Sequence, residues 1–583
     1  MRKRLLSYDT ETTGLYTWRG HKIFSYSVCN PVGKSTVHRL DGPWERERHN
    51  IKYLENIWSD KSLAKIMHNA KFDINMTENC LGRDLSDHKF HDTWLQACIL
   101  QNHHPSNDLK SLGYELAGIS VEDEDAVKPF LSYPRGYQDC PEYLMDRYQH
   151  IDAERAMLLH LFFHPKILEN KNFVEIYKME RDLVLATMRM ERRGIMLNKS
   201  VSVKMALEIQ IDCNKLKLDF EAATGQRGII TSPKKLSWYL YKKMNYPSLK
   251  KTKEGDSVDK NTLMQLQEIV NDPCIEMILK HRSWQHGISM LNSYLELADG
   301  QGIIHPNIKT CGPDTAREAC SKPNLQNVTK AGVLLNPYAI SARKAFRPRP
   351  GYVNFHLDYS GIEMRILVHY SGEKYLINII RNKGDVHVPA TEIFYCDRMP
   401  WGSDFQTLRG AAKNANFAIP YGSGAPKLAK ILNITLEQAH QRYTIYKCKF
   451  LRLCGLIDTI GREVGEQGYV LTIFGRRLYV AKPHAGVNYK VQGSAAGIIK
   501  RAQVRVARFL QETTGDEVQI LLPIHDEIII ECSRKRLRDF YEILPKIISL
   551  MVDFPQLSVP LEVDIKVTTT NWDDKKKINK TWR

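Results

Sequence analysis

The chain has 583 residues and is 43% hydrophobic, enough for about three to five domains with substantial cores and unlike a disordered or fibrous protein. Its 83 Lys and Arg face 66 Asp and Glu, giving a charge of +17 and a pI near 9.1, a balance that favours a polyanionic partner such as nucleic acid or a membrane surface. No uninterrupted apolar run approaches the roughly 18 residues of a membrane span.

The N-terminus, MRKRLLSYDTETTGL, is basic, but Asp9 and Glu11 interrupt its apolar segment too early for a secretory signal or a mitochondrial leader. The twelve cysteines run from Cys29 to Cys532 without a C-x-x-C pair, and the nearest two are Cys448 and Cys454. That usage fits a reducing cytosol, with all twelve expected as buried thiols rather than disulfide or zinc ligands. A cytoplasmic location follows as an expectation. No internal repeat, low-complexity tract or long linker is visible.

In chain order, residues 5–30 alternate strand-like runs with turn residues, and 61–165 alternate helical and strand-like runs, which predicts an α/β domain. Asp9 and Glu11 sit two apart on the first strand and so face the same way. Asp73, in HNAKFD, is read as following a short apolar helix. Tyr148 and Asp152, four apart, share a helical face. Four converging acids repel one another unless divalent cations neutralise them, and two hard ions about 3.5–4 Å apart suit phosphodiester hydrolysis. Tyr148 is placed to orient an attacking water.

Residues 166 to about 220 carry helical periodicity. The window TSPKKLSWYLYKKMNYPSLKKTKEG, 231–255, holds seven lysines against Glu254 and interleaves Trp238, Tyr239 and Tyr241, a composition suited to gripping a nucleic-acid backbone. Further on, Asp358 follows a strand-like run in HLDYSGIEMRIL. In RGAAKNANFAIPYG, residues Arg409, Lys413, Phe417 and Tyr421 recur every four positions, predicting one drifting helical stripe roughly 18 Å long. Its two cations suit a polyphosphate and its two aromatics a base. Finally, LLPIHDEIIIE sets Asp526 and Glu527 at a polar break between two apolar β runs. Asp358 and Asp526, joined across a sheet, would form a second two-metal site.

The order D-x-E, N-x-x-x-D, Y-x-x-x-D over roughly residues 5–160 resembles the proofreading 3′→5′ exonucleases of the DnaQ-like, ribonuclease H-type fold. The resemblance implies Asp9, Glu11, Asp73 and Asp152 as metal carboxylates, with Asn69 and Tyr148 in support. DYSGIEMR, the 409–422 segment and HDE resemble motifs A, B and C of family A DNA polymerases. TSPKKL, TAREACSKPNLQN, GDVH, GYVLTIFGRR and NYKVQGSAAGIIK fall in that family's order, so the resemblance spans essentially the whole chain.

What it implies is an α/β multidomain fold: an exonuclease over 1–165, thumb and connecting helices over 166–300, palm over 301–375, fingers over 376–485 and palm again over 486–583. Asp358 and Asp526 correspond to catalytic metal ligands and Glu527 to an accessory acid. Arg409 and Lys413 correspond to triphosphate contacts, Lys413 also to a proton donor to pyrophosphate, and His387 to a residue near the triphosphate. Phe417 takes the sugar-facing position, Tyr421 the template end, and Glu363 the sugar gate that excludes a 2′ hydroxyl. Arg317, Asn324, Gln326, Asn488, Gln492 and His525 correspond to DNA contacts.

Gly361 stands where the family usually has Gln, Ala316 where it has Gly, and Ala319-Cys320 where a Ser pair is common. These changes bear on minor-groove hydrogen bonds and leave the metal ligands intact. The implied cofactor is Mg²⁺, two ions per site, with Mn²⁺ as substitute. The implied partners are primer-template DNA, deoxynucleotides and replisome proteins: a helicase, a primase or a single-strand binding protein. The early start of the exonuclease, leaving no room for a 5′ nuclease, suggests a bacteriophage source. Alternatives are an exonuclease whose polymerase-like hand only binds DNA, a single-subunit RNA polymerase, against which Glu363 and the exonuclease argue, and a non-enzymatic nucleic-acid scaffold.

Overall fold

The computed structural model describes residues 4–331 and 337–578. Its N-terminal sheet has five strands in the order Ser35–Arg39, Ile23–Cys29, Arg4–Thr12, Leu63–Met67, Phe90–Asp92. The first three are antiparallel, and the last two run parallel to Arg4–Thr12. Parallel pairing needs helical crossovers, and Trp44–Ser59 and Ala70–Leu81 supply them. The Glu142–Leu168 helix lies on the sheet, where Ser7 Oγ donates to the Ala153 carbonyl at 2.6 Å and Ser25 Oγ to Gln149 Oε1 at 2.8 Å. Tyr8, Tyr26 and Trp58 form the aromatic centre of this core, with Tyr8 edge-on to Trp58 at 5.4 Å.

A second sheet is antiparallel throughout, in the order Val518–Ile524, Glu527–Ser533, Tyr352–Tyr359, Val563–Thr568, Lys576–Lys577. It packs on the Gly486–Thr514 and Leu537–Val552 helices in the largest core of the chain. Between its first strands fall the shorter helices from Lys374 to Gln467. Two long helices, Lys199–Thr224 and Pro273–Leu297, carry a third core built on Phe220, Leu236, Tyr239 and Leu240.

The Lys171–Arg193 helix joins the first two bodies. Ile176, Tyr177, Val184 and Met188 enter the N-terminal core, while Ala186 and Met190 enter the C-terminal one. On the same helix Glu180 is fully buried, and it is compensated by Lys500 Nζ at 2.7 Å and by Arg476. Burying that carboxylate without partners would cost several kcal/mol, so the trio fixes the register between the bodies.

Four expectations change. The apolar run before Asp73 is not a helix but the buried parallel strand Leu63–Met67, and the helix begins at Ala70. The segment from Arg409 does not stay α-helical to Tyr421: the α-helix ends at Ala418, and Pro420 sits in a 3₁₀ turn, Ile419–Tyr421. Tyr239 and Tyr241 are core residues and not stacking platforms, whereas Trp238 is 53% exposed. Of the cysteines, seven are buried but Cys80, Cys396 and Cys448 are exposed.

Candidate active sites

Asp9 and Glu11 leave the same face of the first strand and meet Asp152 from the Glu142–Leu168 helix, their carboxylate oxygens within 4.8 Å of one another. Asp73 does not join that trio. Its Oδ1 accepts from Thr10 N at 3.1 Å and Thr10 Oγ1 at 2.7 Å, which holds it beside the strand as a charge neighbour of Asp9. Burial, reinforced by the Asp152 charge, lifts Asp9 to about 7. Burial and then Asp9 raise both Glu11 and Asp73 well above the carboxylate range. Three hard oxygen donors so poised fit a divalent cation of the Mg²⁺ or Mn²⁺ class, whose charge would restore their ionised forms.

Several groups that build this site were not foreseen. Lys110, in the Leu109–Ala117 helix, donates to the Tyr148 hydroxyl at 2.8 Å and also pairs with Asp152. Arg155 Nη1 holds the other Asp152 oxygen at 2.7 Å and is itself gripped by Asp123. Tyr148 is buried, which raises its proton affinity. Asn69 takes a left-handed φ of 66°, and its N–H donates to Asp92 at 3.1 Å. Asp92 also accepts from Ala70, Trp94 and Leu95. Arg155 stands one helical turn from Asp152, whereas no spacing rule links Lys110, Asp123 or Asp92 to the acids, because tertiary packing sets their proximity.

In the second sheet, Asp358 pairs in register with Glu527 on one side and Asp564 on the other. The hairpin turn holds exposed His525, at φ 54°, and half-buried Asp526. The Asp526 carbonyl accepts from Tyr359 N at 3.1 Å. A cavity of about 560 Å³ is lined by Asp358, Asp526, Glu363, Lys413, Phe417 and Arg317, with Gln326 and His525 at its wall. Burial, then the Asp526 and Glu527 charges, lifts Asp358 to about 6, and burial also raises Asp526. This pair fits divalent cations on the same grounds.

Glu527 behaves oppositely. Burial alone would raise it, but His356 and Lys575 hold it at about 2. Lys575 Nζ lies 2.6 and 3.0 Å from its oxygens, and His356 Nδ1 is bonded to it. Burial lowers His356, against the pull of the Glu527 carboxylate.

Arg409 is held by Asp385, a residue not singled out from sequence. His387 is buried, lies 3.1 Å from Asn416 and 5.6 Å from the Phe417 ring centroid, and is lowered to about 4 by burial. Tyr421 donates to Glu363 at 3.0 Å, and Arg317 pairs with the same carboxylate. Asn324 caps the Leu325–Asn327 turn by accepting from Gln326 N at 3.1 Å. Asn488 and Gln492 are half-buried on the Gly486–Thr514 helix, outside the cavity wall.

The signature of DNA polymerase family A matches residues 199–574, and a 3′-5′ exonuclease signature matches residues 2–128. DNA polymerase I of Pseudomonas aeruginosa is 27% identical over 593 residues, covering 98% of this chain and 63% of that protein. DNA polymerase I of Caldicellulosiruptor bescii is 30% identical over 419 residues, covering 68% and 47%. The chain thus spans less than two thirds of the length of these curated relatives. Among solved structures, the POL domain of Pol1 from M. smegmatis, in complex with DNA primer-template and dNTP, is similar with a TM-score of 0.83 at 22% identity over 98% of this chain and 96% of that one. With a family signature over well more than half its length, the chain belongs to DNA polymerase family A.

Proposed function

We propose that the protein is a template-directed DNA polymerase that extends a primer 3′ end with deoxynucleotides and proofreads with its own 3′→5′ exonuclease. The observation that carries this reading is the cavity in which Asp358 and Asp526 meet Lys413 and Phe417. A hand that only bound DNA would have no use for two adjacent acids with raised proton affinity beside an exposed ammonium. When bound, two divalent ions per site, Mg²⁺ with Mn²⁺ as substitute, would supply Lewis-acid stabilisation of the developing oxyanions.

The chain's own residues do the rest. Lys413 offers a proton to departing pyrophosphate, and Arg409, oriented by Asp385, neutralises the triphosphate with His387 nearby. Phe417 faces the sugar. Glu363, fixed between Tyr421 and Arg317, closes the space a 2′ hydroxyl would need, which argues against ribonucleotide synthesis. Arg317, Asn324, Gln326, Asn488, Gln492 and His525 contact primer-template DNA. In the exonuclease, Asp9, Glu11 and Asp152 would hold the ions with Asp73 beside them, and Tyr148, tethered by Lys110, orients the attacking water.

The bodies correspond to an exonuclease over 1–165, thumb and connecting helices over 166–300, palm over 301–375 and 486–583, and fingers over 376–485. Among the described residues no helix is long and apolar enough to cross a membrane, in keeping with a cytoplasmic site of action on DNA alongside a helicase, primase or single-strand binding protein. The relatives named above are bacterial and lend no support to a bacteriophage source.

Separation of function tests the proposal. Asp526→Ala should abolish primer extension and spare degradation of a labelled 3′ end, while Asp73→Ala should do the reverse. Loss of both activities in either variant would point to global damage instead.

A further inference from the structure

Away from both acid clusters, His91, His160 and His164 each bring a ring nitrogen within 4.8 Å of the other two. His160 and His164 are one turn apart on the Glu142–Leu168 helix, and His91 is the middle residue of the edge strand Phe90–Asp92. The ring centroids are 4.5, 4.6 and 4.7 Å apart. His91 and His160 are buried and His164 is half-buried, so the trio is closed on the core side and reachable from the other.

Its surroundings can orient imidazoles for metal binding. Tyr177 Oη lies 3.2 Å from His91 Nδ1 and accepts from Asp92 N at 3.0 Å. The Gln96 side-chain amide lies 3.1 Å from His160 Nδ1 and 3.2 Å from Tyr177 Oη, while its own Oε1 is buried without a partner. Turning this amide over puts the oxygen toward His160 and Tyr177, where it accepts their hydrogens, the kind of outer hydrogen bond that fixes the tautomer of a ligating histidine. The adjacent Asp92 carboxylate is already committed to four backbone N–H groups.

We propose that these three imidazoles form a site for a borderline transition-metal ion of the Zn²⁺ class, separate from the hard-cation carboxylate centres. Three nitrogen donors without a carboxylate select against Mg²⁺. The ion ties the edge strand, whose Asp92 holds the turn leading to Asp73, to the helix that carries Tyr148 and Asp152. It therefore braces the acid cluster without belonging to it, and the inference holds whichever reaction the chain performs.

The full chain is stripped with EDTA, reloaded with ZnCl₂ in excess MgCl₂ and gel-filtered. The expected result is about one zinc retained per chain, as for a closed three-imidazole site, with imidazole scattering in zinc-edge X-ray absorption and a higher melting temperature. His164→Ala, at the half-buried member, should keep native circular dichroism, weaken zinc binding at least about tenfold and lose the thermal gain. Asp9→Ala should retain zinc unchanged. Absence of retained zinc, zinc held equally by His164→Ala, or zinc lost with Asp9→Ala would each overturn the assignment, the last by placing the ion among the carboxylates.

Discussion

Phe417 makes the proposed sugar-facing position testable by a single atom. It lines the cavity beside Asp358 and Asp526, and its ring ends without a polar group, so nothing there replaces the 3′ hydroxyl missing from a dideoxynucleotide. Phe417→Tyr adds such a group. A hydrogen bond to a charged partner is worth about 1.5–3 kcal/mol, so the dideoxy-to-deoxy incorporation ratio should rise roughly 10- to 150-fold. Equal incorporation of both substrates by the unmodified chain would refute this reading.

Ala316 marks a different kind of departure. It holds φ 56° while buried, a left-handed conformation that favours the glycine its family usually places there. Ala316→Gly should therefore stabilise the chain by roughly 0.5–1 kcal/mol, against the usual sign of an Ala→Gly change. Denaturant unfolding measures it. Gly361, at φ 62° with no atom within 4 Å of a would-be Cβ, is constrained by conformation rather than by space.

At the scale of elements, what could be read from sequence depended on whether geometry is local. Asp9 and Glu11 share a face because a strand alternates, and the structure joins them to Asp152. The His525-Asp526 turn between two apolar strands was equally legible, since two such runs separated by two residues pair as a hairpin. The run before Asp73 reads as a helix because a five-residue buried strand carries no periodicity that distinguishes it from a helical turn. The aromatics of the basic window were misplaced for a related reason: interleaved Lys and Tyr look alike whether the rings face solvent or core. Lys110, Asp385, His356 and Lys575 were not found at all. Lys110, His356 and Lys575 each reach an acid, and Asp385 reaches Arg409, from another element, and no interval in the sequence encodes that approach.

The acid-bearing strand also makes a prediction about pH. Asp9 is lifted to about 7, and Glu11 and Asp73 are raised with it, so between roughly pH 4 and 7 the unfolded chain has released protons that the folded chain still holds. Stability of the N-terminal body in chelator should therefore fall as pH rises through that window. Mg²⁺, by binding the ionised carboxylates, should flatten the decline, and Asp9→Asn should remove part of it. Melting temperature against pH, with EDTA or MgCl₂, reads all three. A rise in chelator would show that these acids are ionised without a cation.

Across the whole molecule, two candidate centres share one chain because a single helix is cored into both bodies. Lys171–Arg193 buries apolar residues on each side, and Glu180, Arg476 and Lys500 lock its register. The net charge of +17 draws a polyanion to either centre but does not choose between them. Salt should weaken binding for a polymerase, a nuclease or a mere scaffold alike, by about 0.9 log units per log unit of salt for each duplex phosphate neutralised. Chemistry at the 3′ end has to make that choice.

The most direct measurement follows a labelled primer with a 3′ mismatch on a longer template in Mg²⁺, with deoxynucleotides, ribonucleotides or none. Trimming without nucleotides, and trimming that gives way to extension only when deoxynucleotides are added, is the predicted result. Trimming that never yields to extension would contradict the account and leave the C-terminal hand as a surface that only binds DNA.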